Sequence, residues 1–184
     1  RAAFKLIEIN EKFDILKPGM TVIDLGCSPG GWSQVVLRKV CNHNAKNTVK
    51  SLGRVIGIDL NEPDIIPGLE FYRIDFLQMD HIDLKNKLKI NKVDAVLSDM
   101  ASSSSGHKKT DHLRIMALCE SAASFAETVL KPGGVFVAKV LEGGAAPELQ
   151  KFLKIKFEKV MNFKPPASRK DSSEKYVVAT GFRL

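Results

Sequence analysis

Short β-branched runs alternate with amphipathic stretches along this 184-residue chain. Ala2 to about Asp14 reads as a helix that ends before the turn at Lys17-Pro18-Gly19. Thr21 to Leu25 predicts a first strand, and Gly31 to about Val40 the helix that follows it. Further strands are predicted over RVIGIDL (Arg54 to Leu60), EFYRIDF (Glu70 to Phe76) and VDAVLSDM (Val93 to Met100). From about His112 to Leu130 the apolar residues Ile115, Leu118, Ala122, Phe125 and Val129 keep helical spacing. Lys131-Pro132-Gly133-Gly134 stops that helix, and GVFVAKVL (Gly134 to Leu141) predicts a fifth strand. Pro147 and Glu148 open another helix that ends near Phe157. Two closing strands are predicted, around Lys159 to Phe163 and Tyr176 to Phe182. Such alternation predicts an α/β fold, a mostly parallel sheet with helices on both faces. Two polar stretches, Cys41 to Gly53 and Ala101 to Asp111, read as loops. With no repeat, second core or linker in view, residues 1–184 are expected to form a single domain.

The segment VIDLGCSPGGWSQ (Val22 to Gln34) carries the first chemistry. A strand, a glycine-rich turn and a helix in that order hold nucleotide-like ligands in open α/β sheets. Gly26, Gly30 and Gly31 let the backbone approach a ligand with no Cβ in the way. The spacing is not G-x-G-x-x-G, so the loop suits an adenosine-like ligand without a diphosphate and argues against a nicotinamide dinucleotide. Asp59 and Asp75 close the second and third predicted strands beside this loop. There one carboxylate can accept from ribose hydroxyls and the other from an adenine amino group, at roughly 1.5–3 kcal/mol per charge-assisted bond. Trp32 is either a core aromatic or a wall of the pocket. Lys139, inside FVAKVL, either snorkels to the edge or is held for a purpose. Lys5 and Glu174 taken singly read equally well as surface charges.

Composition changes the picture in two ways. A net charge of +7 favours an anionic partner. Clusters at Lys108-Lys109 and Arg169-Lys170 flank the predicted site, which makes nucleic acid the expected partner; Arg38, Lys39 and Lys164 add to the basic surface. Three cysteines without a short-range pair point to a reducing compartment and away from disulfides or zinc. The histidines lack ligand spacing, so no metal is expected. No apolar run reaches the roughly 18 residues that span a bilayer, so no membrane partner is expected. No apolar stripe stands out either, so a monomer is expected.

Read together, RAAFKL (Arg1 to Leu6), KPGMTVIDLGCSPGGWSQ (Lys17 to Gln34), SDMA (Ser98 to Ala101), FVAKV (Phe136 to Val140) and SRKDSSEKYVVATGF (Ser168 to Phe182) resemble the RrmJ/FtsJ family. Its members are S-adenosylmethionine-dependent RNA 2′-O-ribose methyltransferases, and the likeness covers nearly the whole chain. The resemblance implies a Rossmann-like class I methyltransferase fold, a seven-stranded sheet with its last strand antiparallel. It places a catalytic tetrad on Lys5, Asp99, Lys139 and Glu174, and cofactor contacts on Gly30, Trp32, Asp59, Asp75 and Asp99, beside the glycines at Gly26 and Gly31. It implies S-adenosylmethionine as cofactor, S-adenosylhomocysteine as product, and no metal. In the implied reaction Lys139 is the base or orienting group for a ribose 2′-hydroxyl, a poor nucleophile that needs positioning and a proton acceptor.

The chain departs from the family where SDMAPN becomes SDMASSSS beside Asp99, and the stretch from Cys41 to Gly53 is longer than in compact bacterial members. The SDMA form and the closing SRKDSSEKY resemble rRNA-modifying members of bacteria and mitochondria, which implies a uridine of large-subunit rRNA, free or in a ribosomal particle, with tRNA as the alternative. A trimmed N-terminus and a mitochondrial or other organellar location are expected, with cytoplasm or nucleolus as the alternative. Outside catalysis by this route stand a small-molecule or protein methyltransferase and a non-catalytic RNA-binding or ribosome-assembly protein of the same fold.

Overall fold

The computed structural model describes residues 1–41, 52–101, 105–141 and 146–184. The elements are α1 (Ala2–Phe13), β1 (Thr21–Leu25), α2 (Gly31–Val40), β2 (Arg54–Asp59), β3 (Leu69–Arg73), a 3-10 turn (Phe76–Gln78), α3 (His81–Lys87), β4 (Val93–Ser98), α4 (Lys108–Val129), β5 (Leu130–Leu141), α5 (Pro147–Lys156), β6 (Phe157–Phe163) and β7 (Glu174–Phe182). The strands form one seven-stranded sheet in the order β3-β2-β1-β4-β5-β7-β6. β1 to β5 pair in parallel, and β7 lies antiparallel to both β5 and β6. The expected α/β class and the antiparallel last strand are both present. The chain winds outward from β1 through β2 to β3, then returns to place β4 on the other side of β1. That reversal opens a crevice beyond the carboxyl ends of β1 and β4, where open α/β sheets bind ligands.

Strand side chains alternate between faces, and the alternation sorts the core into two layers. Val22, Val55, Ala95, Leu97, Val135, Val137, Tyr176 and Val178 point to one face and pack against α1 and α2 through Leu6, Ile9, Val35 and Val36. Ile23, Leu25, Ile56, Ile58, Val96, Phe136 and Val177 point to the other, against Leu84 of α3, Phe125 of α4 and Leu153 of α5. Helices therefore cover both faces, as the apolar pattern predicts. Among the described residues, no helix is long and apolar enough to cross a membrane.

Several boundaries move. α3 is absent from the sequence reading because seven residues are too few to show a period. What starts it is local: the Asp80 carboxylate accepts from the backbone N–H groups of Ile82 and Asp83. α4 begins at Lys108 rather than His112. β5 begins at Leu130, which pairs with Val93 before a register shift, so the Lys131-Pro132-Gly133-Gly134 stop is an irregular start to the strand. β3 ends at Arg73 and β4 at Ser98, leaving Asp75 and Asp99 just past the strands that deliver them. Most of the first predicted loop, residues 42–51, and residues 102–104 of the second lie outside the described residues.

Candidate active site

The two-residue period that builds the α1/α2 face also aims the chemistry. On β5 the row Val135, Val137 continues to Lys139; on β7 the row Val178, Tyr176 continues to Glu174; beyond β4 the row Ala95, Leu97 continues to Asp99. Because β7 is antiparallel, its first residue sits at the same sheet edge as the last residues of β4 and β5. α1 crosses this edge with Leu6 and Ile9 buried, which brings Lys5 over it. Four residues far apart in sequence thus meet in a chain of alternating charge. Lys5 Nζ lies 3.9 Å from Glu174 Oε2, Lys139 Nζ lies 3.6 Å from the same oxygen, and Lys139 Nζ lies 3.3 Å from Asp99 Oδ1. The Lys139 side chain is only 8 % exposed, so each of its two carboxylate neighbours offsets part of the cost of burying its charge.

A cavity of about 610 Å³ opens beside this cluster at the sheet's switch point, walled by Gly26, Asp59, Asp75, Asp99, Phe76 and Arg114 among others. Gly26 has φ +76° and packs directly beneath Met100, whose Cγ would lie 2.8 Å from any added Cβ. A side chain at this position is excluded both by conformation and by space. Asp59 fixes the loop: Oδ2 accepts from Ser28 N at 2.9 Å and Oδ1 accepts from Asn61 N at 2.9 Å. Asp75 is exposed on the far wall, and Asp99 is tied to β1 by its N–H on Leu25 O at 3.3 Å. The structure thus brings Gly26, Asp59, Asp75 and Asp99 to one cavity. Gly30, Gly31 and Trp32 do not line it. Gly30 lies under the Ile66 side chain, and Gly31 sits against the backbone of Ala3. Trp32 donates its indole N–H to Ala2 O at 2.8 Å, and its ring lies 5.4 Å from that of Tyr176. Asp99 belongs to both the cavity and the charge cluster.

The family model for FtsJ-like methyltransferase matches residues 1–182. This chain is an FtsJ-like methyltransferase. It is 58 % identical over 183 residues to "Ribosomal RNA large subunit methyltransferase E" of Ruegeria pomeroyi, covering 100 % of this chain and 78 % of that protein. It is 51 % identical over 184 residues to the protein of the same name from Parvibaculum lavamentivorans, with 100 % and 72 % covered. A crystal structure described as a ribosomal RNA methyltransferase from Plasmodium falciparum superposes with a TM-score of 0.80 at 33 % identity, over 99 % of this chain and 97 % of that one. These relatives correct the expected organellar location: the curated proteins at 51–58 % identity are bacterial, which favours the cytoplasmic alternative. The residues behind that expectation, SRKDSSEKY, include Arg169, Ser172 and Glu174 in the wall of the candidate site. Their chemistry is the same wherever the enzyme works, so they carry no address.

Sequence reasoning passed over two residues, one bonded within this candidate site and one that feels its carboxylates. Tyr176 donates its hydroxyl to Asp99 Oδ1 at 2.6 Å. Burial, followed by the Asp99 charge beside it, pushes the phenol far above its ordinary range, so it remains a proton donor. Its position two residues after Glu174 on one strand is the signal that could have found it. Trp32 backs its ring, so Trp32 reaches the cavity through Tyr176 and Asp99. The second is Asp24, fully buried in the middle of β1. Ser33 Oγ donates to Asp24 Oδ2 at 2.7 Å, while the buried Oδ1 has no partner among the described residues. Burial pushes this carboxyl up from 3.8 to about 7, against the Ser33 bond and with help from Asp99 and Asp59.

A pH dependence of stability follows. The neutral Asp24 is favoured in the folded state, so its contribution is fully present below pH 3.8 and is lost as pH rises to about 7. The integrated loss is on the order of 4 kcal/mol. Urea melts between about pH 4 and 8 should show Asp24→Asn flattening this part of the profile. An unchanged slope in the variant would remove the assignment. Burial also pushes the Cys27 and Cys119 thiols up to about 12, which leaves both protonated and unfit as nucleophiles. Among the described residues, no group of acidic, histidine or cysteine side chains could hold a metal ion.

Proposed function

We propose that this enzyme transfers a methyl group from S-adenosylmethionine to a ribose 2′-hydroxyl of large-subunit rRNA, at a uridine, free or within a ribosomal particle. One observation carries the reading: Asp99 lines the adenosine-sized cavity and also pairs with Lys139 at 3.3 Å. A methyl donor held in the cavity and a hydroxyl held at Lys139 would therefore face each other across one carboxylate.

The cavity residues fit this cofactor. Gly26 lines the cavity, and a Cβ there would press into Met100, another residue of the wall. Asp59, already oriented by two backbone N–H groups, has lone pairs free for two ribose hydroxyls. Asp75 can accept from the adenine amino group. Among the described lining residues, three carboxylates against Arg114 make a cavity that suits a cationic ligand. The cofactor supplies a methyl group activated by a sulfonium centre, and the protein supplies alignment and a place for the proton. Lys139 holds the 2′-hydroxyl and takes or steers its proton. Tyr176 fixes Asp99, while Lys5 and Glu174 set the position of Lys139 and close the acceptor side. Transfer leaves S-adenosylhomocysteine, a neutral thioether that no longer draws on the cavity's negative charge, and this aids release.

The acceptor side carries charge of both signs, with Asp111 and Asp171 among its lining residues beside the cations. A cavity of about 400 Å³ is lined by Arg1, Lys5, Arg169 and Glu174, and another of about 700 Å³ by Lys108, Lys109, His112 and Glu174. Both open onto the tetrad, so a phosphate backbone can run past it with cations on either side. If about five such contacts form on single-stranded RNA, log affinity should fall against log salt with a slope near −3.5. Filter binding at several salt concentrations measures this, and a slope near zero removes the groove. The activity itself is tested by labelled methyl transfer into large-subunit rRNA, ribosomal particles and tRNA. Label in rRNA or its particle at a 2′-oxygen is the expected result. Label in tRNA alone would overturn the substrate.

A further inference from the structure

We propose that Lys164 and Glu8 are positioning residues that brace the segment between β6 and β7 and so hold Glu174 between Lys5 and Lys139. The proposal rests on the tetrad reading given above.

The segment leaves the sheet after Phe163 and returns at Glu174, two residues before Tyr176, the ladder partner of Phe163. Between them the chain folds back through two turns: Ser168 N donates to Pro165 O at 2.9 Å and Ser172 N to Arg169 O at 3.1 Å. Lys164 closes the excursion from inside. Its Nζ donates to Ser172 O at 2.7 Å and to Lys170 O at 3.3 Å, joining the first residue of the segment to its far end. Ser172 then accepts the Glu174 N–H on its hydroxyl at 3.2 Å, so the strut ends one bond short of the tetrad carboxylate. Lys164, counted with the basic surface in sequence, thus directs its ammonium to its own loop.

Glu8 supplies the second anchor. Its Oε1 accepts from Ala167 N at 2.7 Å. Glu8 stands three residues after Lys5 on α1, and residues at that spacing share a helix face. One face of one helix therefore both pins the segment and receives Glu174 through Lys5. The Phe163 ring, 5.5 Å from that of Phe13 at the end of the same helix, fixes where the segment begins.

All three bonds are at or near the surface, where single hydrogen bonds add little to stability. Small misplacements of a catalytic group, by contrast, can cost as much as 10²-fold in rate. Stability and rate should therefore separate in the variants. Lys164→Met and Glu8→Ala are expected to lower kcat on ribosomal particles by roughly 10- to 100-fold. KM for S-adenosylmethionine should stay unchanged, and Tm should fall by no more than about 4 °C. Lys164→Arg and Glu8→Gln, which keep a donor and an acceptor, should recover most of the rate. In a Glu174→Gln background, Lys164→Met should bring no further loss in single-turnover rate.

Normal kcat in both Lys164→Met and Glu8→Ala overturns the brace while leaving the tetrad standing. So does an equal loss with and without Glu174→Gln, or a loss confined to RNA affinity through displaced Arg169 and Lys170. Full activity in Glu174→Gln and in Lys139→Ala would remove the tetrad reading, and the brace with it.

Discussion

Lys139→Ala is expected to cut turnover by roughly 10²–10⁴-fold, with S-adenosylmethionine affinity unchanged. The side chain is 8 % exposed and its Nζ touches two carboxylates, so it is the group best placed to meet a hydroxyl beside Asp99. It does not line the cofactor cavity, which is why binding of the donor should survive. Truncation leaves Asp99 and Glu174 facing each other without the cation between them, a like-charge arrangement that adds to the loss. Lys139→Arg separates two roles for the residue. Arginine keeps the positive charge but cannot accept a proton in a protein. A rate as low as that of the alanine variant identifies Lys139 as the base; a partly restored rate identifies it as an electrostatic orienter. Single-turnover methyl transfer with calorimetric binding of the cofactor makes the measurement, and full activity in Lys139→Ala would end this mechanism.

Asp59→Ala is expected to act on the other half of the site. Two hydrogen bonds from ribose to a carboxylate are worth roughly 1.5–3 kcal/mol each, so their loss should weaken S-adenosylmethionine binding by roughly 10²–10⁴-fold. The same carboxylate holds Ser28 and Asn61 by their backbone N–H groups, so the glycine loop should also loosen. Thermal melts are needed beside calorimetry to show that the variant is folded. An unchanged Kd in a folded variant would move the ribose elsewhere. Asp75→Ala should cost less, because Asp75 is exposed and none of its bonds orders the loop.

The two predictions differ in how far the sequence alone could have carried them. Asp59 and the glycines sit within one strand–loop–helix unit and the strand after it, so local spacing and strand-end position suffice to suggest a nucleoside site. Lys139, Lys5 and Glu174 have no such local signal. Read singly, Lys139 fits a snorkelling lysine as well as a functional one, and Lys5 and Glu174 fit surface charges; only the family's pattern joins them. The structure supplies the physical link, since the same two-residue period that buries Val137, Tyr176 and Leu97 extends to Lys139, Glu174 and Asp99. Tyr176 stayed hidden because a tyrosine in a closing strand reads as core, which it also is: it is fully buried apart from the bond to Asp99. Asp24 stayed hidden because its partners, Ser33 on a helix and the charges of Asp59 and Asp99, come from separate elements.

What this sequence determined by itself is the local layer: where apolar residues repeat every second or every third to fourth position, where glycines and prolines break the chain, and hence the α/β class with helices on two faces. Those features depend on neighbours within a few residues, and a chain read in order displays them. Tertiary structure alone decided which distant charges meet. An antiparallel β7 puts Glu174 at the edge reached by β4 and β5, and α1 lays Lys5 across it. It also decided that Lys164 binds its own loop, that Trp32 supports Tyr176, and that Asp24 is buried with one oxygen unpaired among the described residues. The reason is common to all three. The environment of a charged or aromatic side chain is made by residues far along the chain, so its role is fixed only when the sheet closes.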